Sequence, residues 1–309
     1  MPQVELSSGT IAYEDTGGDG PVLVFLHGVL MDHTVWRKVV PGLRGTYRCV
    51  LPTLPLGGHR TPMRPDADLS LRGQALLVGE FLDRLDLREV TLVLNDWGGA
   101  QLLLSEGRTA RIARLALVAC EAFDNYPPGR PGRSLVRAAS IPGGLALLTH
   151  LLRLRPVRRA PNSWGAMTEH PIPDAIMDAW FRPARTDPGV RRDLAKYLTS
   201  TPPRRQLLEW SEQMRAFEGP VLVAWAAQDR LMPREHGPRL AGLFPRGRLA
   251  EIEGSRTLVP EDRPDELVRL LQDFLHTTST PGTPGTHGTH GTHGTTVAAG
   301  HEKTPGHGE

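Results

Sequence analysis

The chain has 309 residues, of which 39% are hydrophobic and 23% charged, and its formal net charge is only +2. That length allows one large domain with an insertion, or two small domains. The composition is ordinary for a globular protein, and so weak a net charge gives no reason to expect a nucleic acid or an anionic membrane as partner. The two cysteines, Cys49 and Cys120, lie in apolar strand-like runs and are expected to be buried thiols.

The N-terminal segment has no basic stretch followed by a long apolar run, and no part of the chain is apolar enough to span a bilayer. We therefore expect a cytoplasmic protein that is a monomer or a weak homo-oligomer.

The first 122 residues alternate short apolar runs with helical patterns. Two short strands are predicted on either side of Gly9. Four later runs lack polar alternation, which is typical of strands buried on both faces in a parallel sheet. These runs are 21–26, 48–51, 90–94 and 115–119. Helical spacing is found at 34–43, 69–85 and 101–106. The alternation predicts an α/β fold with a mainly parallel sheet and helices on both faces.

The alternation stops over residues 123–218, which contain no buried-strand pattern and are rich in proline and arginine. This segment is predicted to be a helical cap inserted into the core, with helices at 144–154 and 174–180. Its arginines are interpreted as a solvated helix face, with an anion-binding face as the less favoured alternative; they include Arg153, Arg155, Arg158 and Arg159.

The core is predicted to resume at residue 219 and to end at 276, with strands at 221–225 and 248–252 and helices at 235–243 and 264–275. Residues 277–309 consist mostly of Gly, Thr, Pro and His, and are expected to be disordered. Loose metal binding by His287, His290 and His293 is considered and not favoured, because a flexible imidazole tract has no fixed geometry. We expect no metal and no cofactor.

The stretch from Leu92 to Gly99 reads Leu-Val-Leu-Asn-Asp-Trp-Gly-Gly and follows the pattern of a strand, a sharp turn and a helix. Such a turn can hold a nucleophile at a strained apex when its neighbours are small. The apex residue here would be Asp96. A carboxylate attacks carbon by displacement and forms an alkyl ester. The alternative is an ordinary turn in which Asp96 caps the helix.

Other polar positions follow the predicted strands at the same edge of the sheet. His27-Gly28 comes after the third strand, Glu121 after the sixth, and Asp229 after the strand that follows the cap. With Asp96-Trp97-Gly98-Gly99 after the fifth, this arrangement over residues 4–276 resembles the α/β-hydrolase fold. Within that fold it is similar to the haloalkane dehalogenase and epoxide hydrolase group, which has aspartate at the elbow.

The resemblance implies a role for each matching residue. Asp96 would be the nucleophile, and the backbone N–H groups of Val29 and Trp97 would form the oxyanion hole. The Trp97 indole would also bind the departing halide. Asp229 would be the supporting acid, with Glu121 as a second candidate for that role.

One departure affects the mechanism. The family places its histidine base after the last strand, where this chain has Thr257. A threonine hydroxyl cannot serve unaided as a general base. Three alternatives remain: replacement by His59 or His33; activation of water by Asp229 or Glu121 if burial raises the pKa of that carboxyl group; or a reaction that needs no ester hydrolysis. His27 is expected to brace the oxyanion loop.

Smaller departures concern the substrate. Epoxide hydrolases use two cap tyrosines, and the predicted cap contains only Tyr126 and Tyr197. Dehalogenases often have asparagine at the position of Val29, so Trp164 or Trp180 would have to supply the second halide donor.

The favoured prediction is a haloalkane dehalogenase-like hydrolase that acts on a small apolar molecule. The alternatives are an epoxide hydrolase-like enzyme, an enzyme of cyclisation, elimination or rearrangement, and a ligand binder without catalysis.

Overall fold

The computed structural model describes residues 1–279. The strands are β1 Gln3–Leu6, β2 Gly9–Asp15, β3 Val22–Leu26, β4 Arg48–Pro52, β5 Val90–Asp96, β6 Ile112–Cys120, β7 Val221–Ala226 and β8 Gly247–Ile252. They form one sheet in the order β1-β2-β4-β3-β5-β6-β7-β8. The β1–β2 and β2–β4 pairs are antiparallel, and all pairs from β4 to β8 are parallel. The eight-stranded, mainly parallel sheet of an α/β-hydrolase fold is confirmed.

Helices flank this sheet. Within residues 1–279 they are α1 Leu71–Arg84, α2 Leu102–Ser105, α3 Gly129–Ala139, α4 Gly144–Leu151, α5 Arg155–Arg158, α6 Asp174–Thr186, α7 Pro188–Thr199, α8 Arg204–Gln213, α9 His236–Ala241, α10 Val259–Asp262 and α11 Pro264–Ser279. Six of them, α3 to α8, lie between β6 and β7 in the chain. Of these, α3 packs on α4 and α7, and α6 packs on the same two helices.

The centre of the sheet is buried on both faces because helices cover it. Every residue of β5 is buried, as is every residue of β7. The long amphipathic helix α1 begins where Ser70 Oγ accepts a hydrogen bond from Gly73 N at 3.0 Å, an N-cap of the kind that satisfies an otherwise free amide. Apolar periodicity therefore predicted these elements well.

The predicted helix at 34–43 is wrong. That segment forms two short 3₁₀ turns, His33–Trp36 and Val40–Gly42. Asp32 caps the first by accepting from Thr34 N at 2.9 Å. Pro41 is the second residue of the other turn, and proline has no N–H with which to continue an α-helix from the preceding turn.

Other predicted helix boundaries also differ from the structure; the helix predicted at 174–180, for example, continues to Thr186. The helix predicted at 101–106 is a single turn, Leu102–Ser105. The last helix was expected to end at 275, and it continues to Ser279. The remainder of the predicted tail, including its three repeated histidines, lies outside the described residues.

The parallel strands end at one edge of the sheet, where ligand sites of α/β proteins are usually found. The turns that follow β3, β5, β6, β7 and β8 carry Gly28, Asp96, Glu121, Asp229 and Thr257 in that order.

No helix within residues 1–279 is both long and apolar enough to cross a membrane.

Gly28 is expected to tolerate no added methyl group. A Cβ there would lie 2.0 Å from Asp96 Oδ2 and 2.7 Å from Asp96 Cβ, which cannot move without its backbone. We expect Gly28→Ala to lower the free energy of unfolding by about 1–3 kcal/mol, as overpacked sites do. Urea denaturation measures the change. Gly45→Ala is the matched control, because nothing lies within 4 Å of a Cβ at that position. Equal stability of the two variants would contradict this close approach.

Candidate active site

Asp96 ends β5 at a sharp bend. Its φ is +64°, in the left-handed region that residues with a Cβ rarely adopt. The residues that follow leave room for this turn. Gly99 has a φ of +75°, and a Cβ there would lie 2.4 Å from Leu71 Cδ1. Asp96 therefore lies at the apex of a turn with the geometry of a nucleophile elbow.

The Asp96 side chain is only 4% exposed, and this burial raises its pKa to about 8. The backbone N–H groups of Trp97 and Val29 interact with the carboxylate and oppose the rise, whereas the charges of Glu121 and Asp229 add to it. Amides that face a carboxylate also face the oxygen of any ester formed on it. The structure thus directs the backbone N–H groups of Val29 and Trp97 at the Asp96 carboxyl group.

Glu121 lies beside the elbow, between two residues of positive φ, Ala119 at +36° and Phe123 at +56°. Its Oε1 accepts hydrogen bonds from Gly98 N at 3.2 Å and Gly99 N at 2.5 Å. Its Oε2 is buried and has no hydrogen-bond partner among residues 1–279. Burial raises the pKa of Glu121 to about 7, and the nearby Gln101 amide and the two glycine N–H groups lower it only in part.

Asp229 and Thr257 are joined directly. Thr257 Oγ1 donates a hydrogen bond to Asp229 Oδ1 at 2.8 Å, and the same oxygen accepts from Leu231 N at 2.8 Å and Met232 N at 3.1 Å. Asp229 Oδ2 is buried and has no hydrogen-bond partner in the described part of the chain. Burial raises the pKa of Asp229 to about 6. Thr257 therefore contacts the carboxylate that would orient a histidine base.

Three aromatic side chains with polar groups lie together at Asp96. The Trp97 ring is 5.4 Å from that of Tyr126 and 5.7 Å from that of Tyr197, and the tyrosine rings are 6.4 Å apart. Within residues 1–279, Trp97 Nε1 and both hydroxyl groups are buried and make no well-formed hydrogen bond, so their polar neighbours are mainly one another. Burial raises the pKa of Tyr126 well above its usual value, the charge of Glu121 adds to this, and interaction with Tyr197 and Trp97 lowers it only in part. These groups remain protonated donors at any ordinary pH.

The other two tryptophans considered as halide donors differ in their contacts. Trp180 Nε1 donates to Thr34 Oγ1 at 2.8 Å, so its N–H is already used. Trp164 packs against Phe181 with ring centroids 4.7 Å apart, and lines a groove formed within the cap helices. The two tyrosines, rather than these tryptophans, lie beside Trp97.

The loop histidines are occupied by other contacts. His59 Nδ1 accepts from Gly57 N at 3.3 Å, and its Nε2 is 3.2 Å from Asp193 Oδ2 on α7. His33 Nδ1 is 3.0 Å from Thr53 Oγ1, and its Nε2 is 3.7 Å from Glu14. Neither ring leaves a nitrogen directed at Asp96.

His27 braces the loop after β3. Its Nε2 accepts from Leu54 N at 2.8 Å, so its Nδ1, 2.8 Å from Gly28 O, is the donor. Burial lowers its pKa to about 4. The ring is therefore neutral, and it ties the oxyanion loop to the segment after β4.

Sequence reasoning missed Asn95. Its Nδ2 donates to Val118 O at 2.9 Å and to Thr257 O at 2.7 Å, which links β5, β6 and the loop after β8. The sequence did contain a signal for this role, because Asn95 is a polar residue that directly follows an apolar strand pattern. Among residues 1–279, no group of three or more His, Cys, Asp or Glu side chains could hold a metal ion.

A family model described as the alpha/beta hydrolase family matches residues 23–270. A haloalkane dehalogenase of Mesorhizobium japonicum is 30% identical over 146 residues, which are 46% of this chain and 47% of that protein. Haloalkane dehalogenase 2 of Mycobacterium tuberculosis is 26% identical over 276 residues, covering 84% of this chain and 90% of the relative.

Solved structures agree with the fold. An alpha/beta hydrolase fold protein from Burkholderia ambifaria superposes with a TM-score of 0.72 and 26% identity, covering 88% of this chain and 97% of that one. A haloalkane dehalogenase from Bradyrhizobium elkani gives 0.71 and 19%, with coverage of 89% and 97%. The chain therefore belongs to the alpha/beta hydrolase family of enzymes, and its similarity within that family is to haloalkane dehalogenases.

Proposed function

We propose that this enzyme hydrolyses a small, mostly apolar alkyl halide through an ester formed on Asp96. The observation that carries the proposal is the Asp96 carboxyl group itself, held at the elbow apex and faced by two backbone amides. The similarity to haloalkane dehalogenases supports the choice of substrate.

The first step is displacement at carbon. An ionised Asp96 oxygen forms a C–O bond as the C–X bond breaks, and the electron pair of that bond leaves with the halide. The halide needs donors that have no competing partner. Trp97 Nε1 and the hydroxyl groups of Tyr126 and Tyr197 are proposed as these donors, because within residues 1–279 none of them makes a well-formed hydrogen bond.

The second step is ester hydrolysis, and Glu121 is proposed as its base. Glu121 takes a proton from water, and the resulting hydroxide attacks the ester carbonyl carbon while the Val29 and Trp97 amides hold the oxyanion. Collapse breaks the bond to the alkoxide, which takes the proton back from Glu121 and leaves as the alcohol. Asp96 is regenerated as the carboxylic acid and loses its proton to solvent before the next cycle. A base is most effective when its pKa lies near the working pH, and the pKa of Glu121 is about 7.

Two observations favour Glu121 over Asp229 as the base. Glu121 contacts the elbow directly, because its Oε1 accepts from the amides of Gly98 and Gly99, two and three residues after Asp96. One oxygen of Asp229 also accepts three hydrogen bonds, including that of Thr257. Asp229 is thus assigned the supporting role of holding the loop after β8.

An epoxide is the second candidate substrate, and one observation favours it. Tyr126 and Tyr197, the two tyrosines of the predicted cap, are both buried beside Trp97. Ring opening by Asp96 produces an alkoxide, which is basic enough to take a proton even from a phenol whose pKa burial has raised. Turnover of an epoxide, and not of a bromoalkane of the same length, would favour this candidate.

Glu121→Gln is expected to trap the ester. The amide oxygen can still accept from the Gly98 and Gly99 amides, but the side chain cannot take a proton from water. Wild-type enzyme should release bromide from a bromoalkane continuously, whereas the variant should release one equivalent and stop. Intact-mass spectrometry should then show one alkyl group on the protein.

Two variants serve as controls for that experiment. Asp96→Asn should give neither adduct nor turnover, and Asp229→Asn should form the ester and still hydrolyse it. Absence of both adduct and turnover in wild-type enzyme across bromoalkanes and epoxides would refute the proposed function and favour a binder or a non-hydrolytic enzyme.

Ester formation is expected to rise with pH up to about 8. Only the ionised carboxylate attacks, and because burial raises the pKa of Asp96 to about 8, its charged fraction falls below that pH. Single-turnover bromide release should slow about tenfold for each pH unit well below the pKa. Glu121→Gln should move the midpoint to lower pH, because it removes a neighbouring negative charge. A rate that falls as pH rises would instead indicate that Asp96 acts as an acid.

Thr257→His is expected to rescue hydrolysis in the Glu121→Gln protein. A histidine Nδ1–H at this position would replace the hydroxyl that now donates to Asp229 at 2.8 Å. The doubly substituted protein should turn over bromoalkane and lose the trapped adduct. Thr257→Val is the control, and it should leave the ester trapped. A persistent adduct in a folded Thr257→His protein, checked by circular dichroism, would count against the proposed position of Asp96 relative to this loop.

A further inference from the structure

One face of the cap exposes large apolar side chains. Ile141, Leu147, Leu151 and Leu154 are 54%, 62%, 38% and 53% exposed. Leu147 and Leu151 are one turn apart on α4, and Ile141 and Leu154 lie in the turns on either side of that helix, so the four positions are close together along one short stretch of the chain. Contiguous exposed apolar residues usually mark an interaction surface. We call these four residues the apolar ridge.

Unpaired positive charge surrounds the apolar ridge. Residues 129–160 contain seven arginines and no Asp or Glu. Three of these, Arg155, Arg158 and Arg159, form ion pairs with acidic residues of α6. The other four are exposed and make no ion pair within residues 1–279: Arg130, Arg133, Arg137 and Arg153. The whole-chain charge of +2 does not reveal this local excess.

An apolar groove lies beside the ridge. It measures about 450 Å³ and its lining includes Leu135, Leu148, Leu152, Val157 and Trp164. Leu148 and Leu152 come from the same stretch of chain as the ridge residues Leu147 and Leu151. An apolar chain that contacts the ridge can therefore also contact the apolar lining of this groove.

We propose that this cap face docks on the surface of an anionic phospholipid membrane. The ridge would enter the boundary between headgroups and acyl chains, and the four unpaired arginines would bind lipid phosphates, as in other basic amphipathic surfaces. A second copy of the chain fits poorly, because two such faces would bring eight unpaired arginines together with no acidic residue from residues 129–160 between them. Docking here is peripheral and needs no helix that spans the bilayer.

Vesicle flotation of the full-length protein tests the proposal. We expect binding to vesicles of phosphatidylcholine with about 30 mol% phosphatidylglycerol, weakened by salt, and at least about tenfold weaker binding to phosphatidylcholine alone. Leu147→Ser with Leu151→Ser should reduce binding to the anionic vesicles about tenfold, and so should Arg133→Gln with Arg137→Gln. All four positions are exposed, so these variants should fold.

Arg205→Gln is the matched control. Arg205 is an exposed cap arginine on α8 that pairs with Glu209, away from the ridge, and its loss should leave vesicle binding unchanged. Absence of vesicle binding, or binding that neither double variant weakens, would overturn the proposal. Light scattering that shows a dimer which Leu147→Ser dissociates would overturn it too, because a second copy would then cover this face.

Discussion

The site depends on the burial of three carboxyl groups at one edge of the sheet. Asp96 and Glu121 are almost fully buried, and Asp229 Oδ2 is buried as well. A pair of backbone N–H groups stabilises the charge on each carboxyl group. The pairs are Val29 and Trp97 for Asp96, Gly98 and Gly99 for Glu121, and Leu231 and Met232 for Asp229. Amide dipoles offset only part of the cost of burying a charge. Protons are therefore retained at a pH where carboxyl groups are ordinarily ionised.

This constraint links the missing histidine to the chemistry of the site. A histidine at position 257 could carry positive charge between the carboxylates, whereas the threonine found there donates one neutral hydrogen bond to Asp229. The pKa of Asp96 is about 8, that of Glu121 about 7 and that of Asp229 about 6. A carboxyl group with a pKa near neutrality can act as a general base. The site that lacks a histidine at position 257 therefore contains a carboxyl group, Glu121, whose pKa suits it to act as the base.

The backbone shows why the carboxyl groups stay close together. Asp96, Ala119 and Phe123 all have positive φ, so β5 and β6 both bend sharply where they leave the sheet. Asn95 joins those bends to the loop that carries Thr257 through two backbone carbonyl groups. Strained conformations of this kind persist only where the surrounding contacts hold them, and they are common at functional sites.

Much of this architecture was predictable from the sequence, because apolar runs without alternation identify central parallel strands. The ends of those strands then place Asp96, Glu121, Asp229 and Thr257 at one edge of the sheet. The segment at 34–43 was not predictable from its spacing, since local capping by Asp32 and the proline at 41 override helical periodicity.

Other features of the site depend on tertiary packing. The convergence of Tyr126 and Tyr197 on Trp97 results from how the loop after β6 and helix α7 pack, and no spacing in the sequence encodes it. The occupation of His59 by Asp193 likewise depends on where α7 lies.

The central claim is that an ester forms on Asp96 and is cleaved at its carbonyl carbon. The most direct measurement is a single turnover of a bromoalkane in ¹⁸O-labelled water, followed by mass analysis of the product alcohol and of the peptide that contains Asp96. Attack of water on the ester carbonyl predicts that the label enters the Asp96 carboxyl group and that the first alcohol released carries unlabelled oxygen. Label in the first alcohol, with none in the Asp96 peptide, would show that water attacks the substrate directly and would contradict the account.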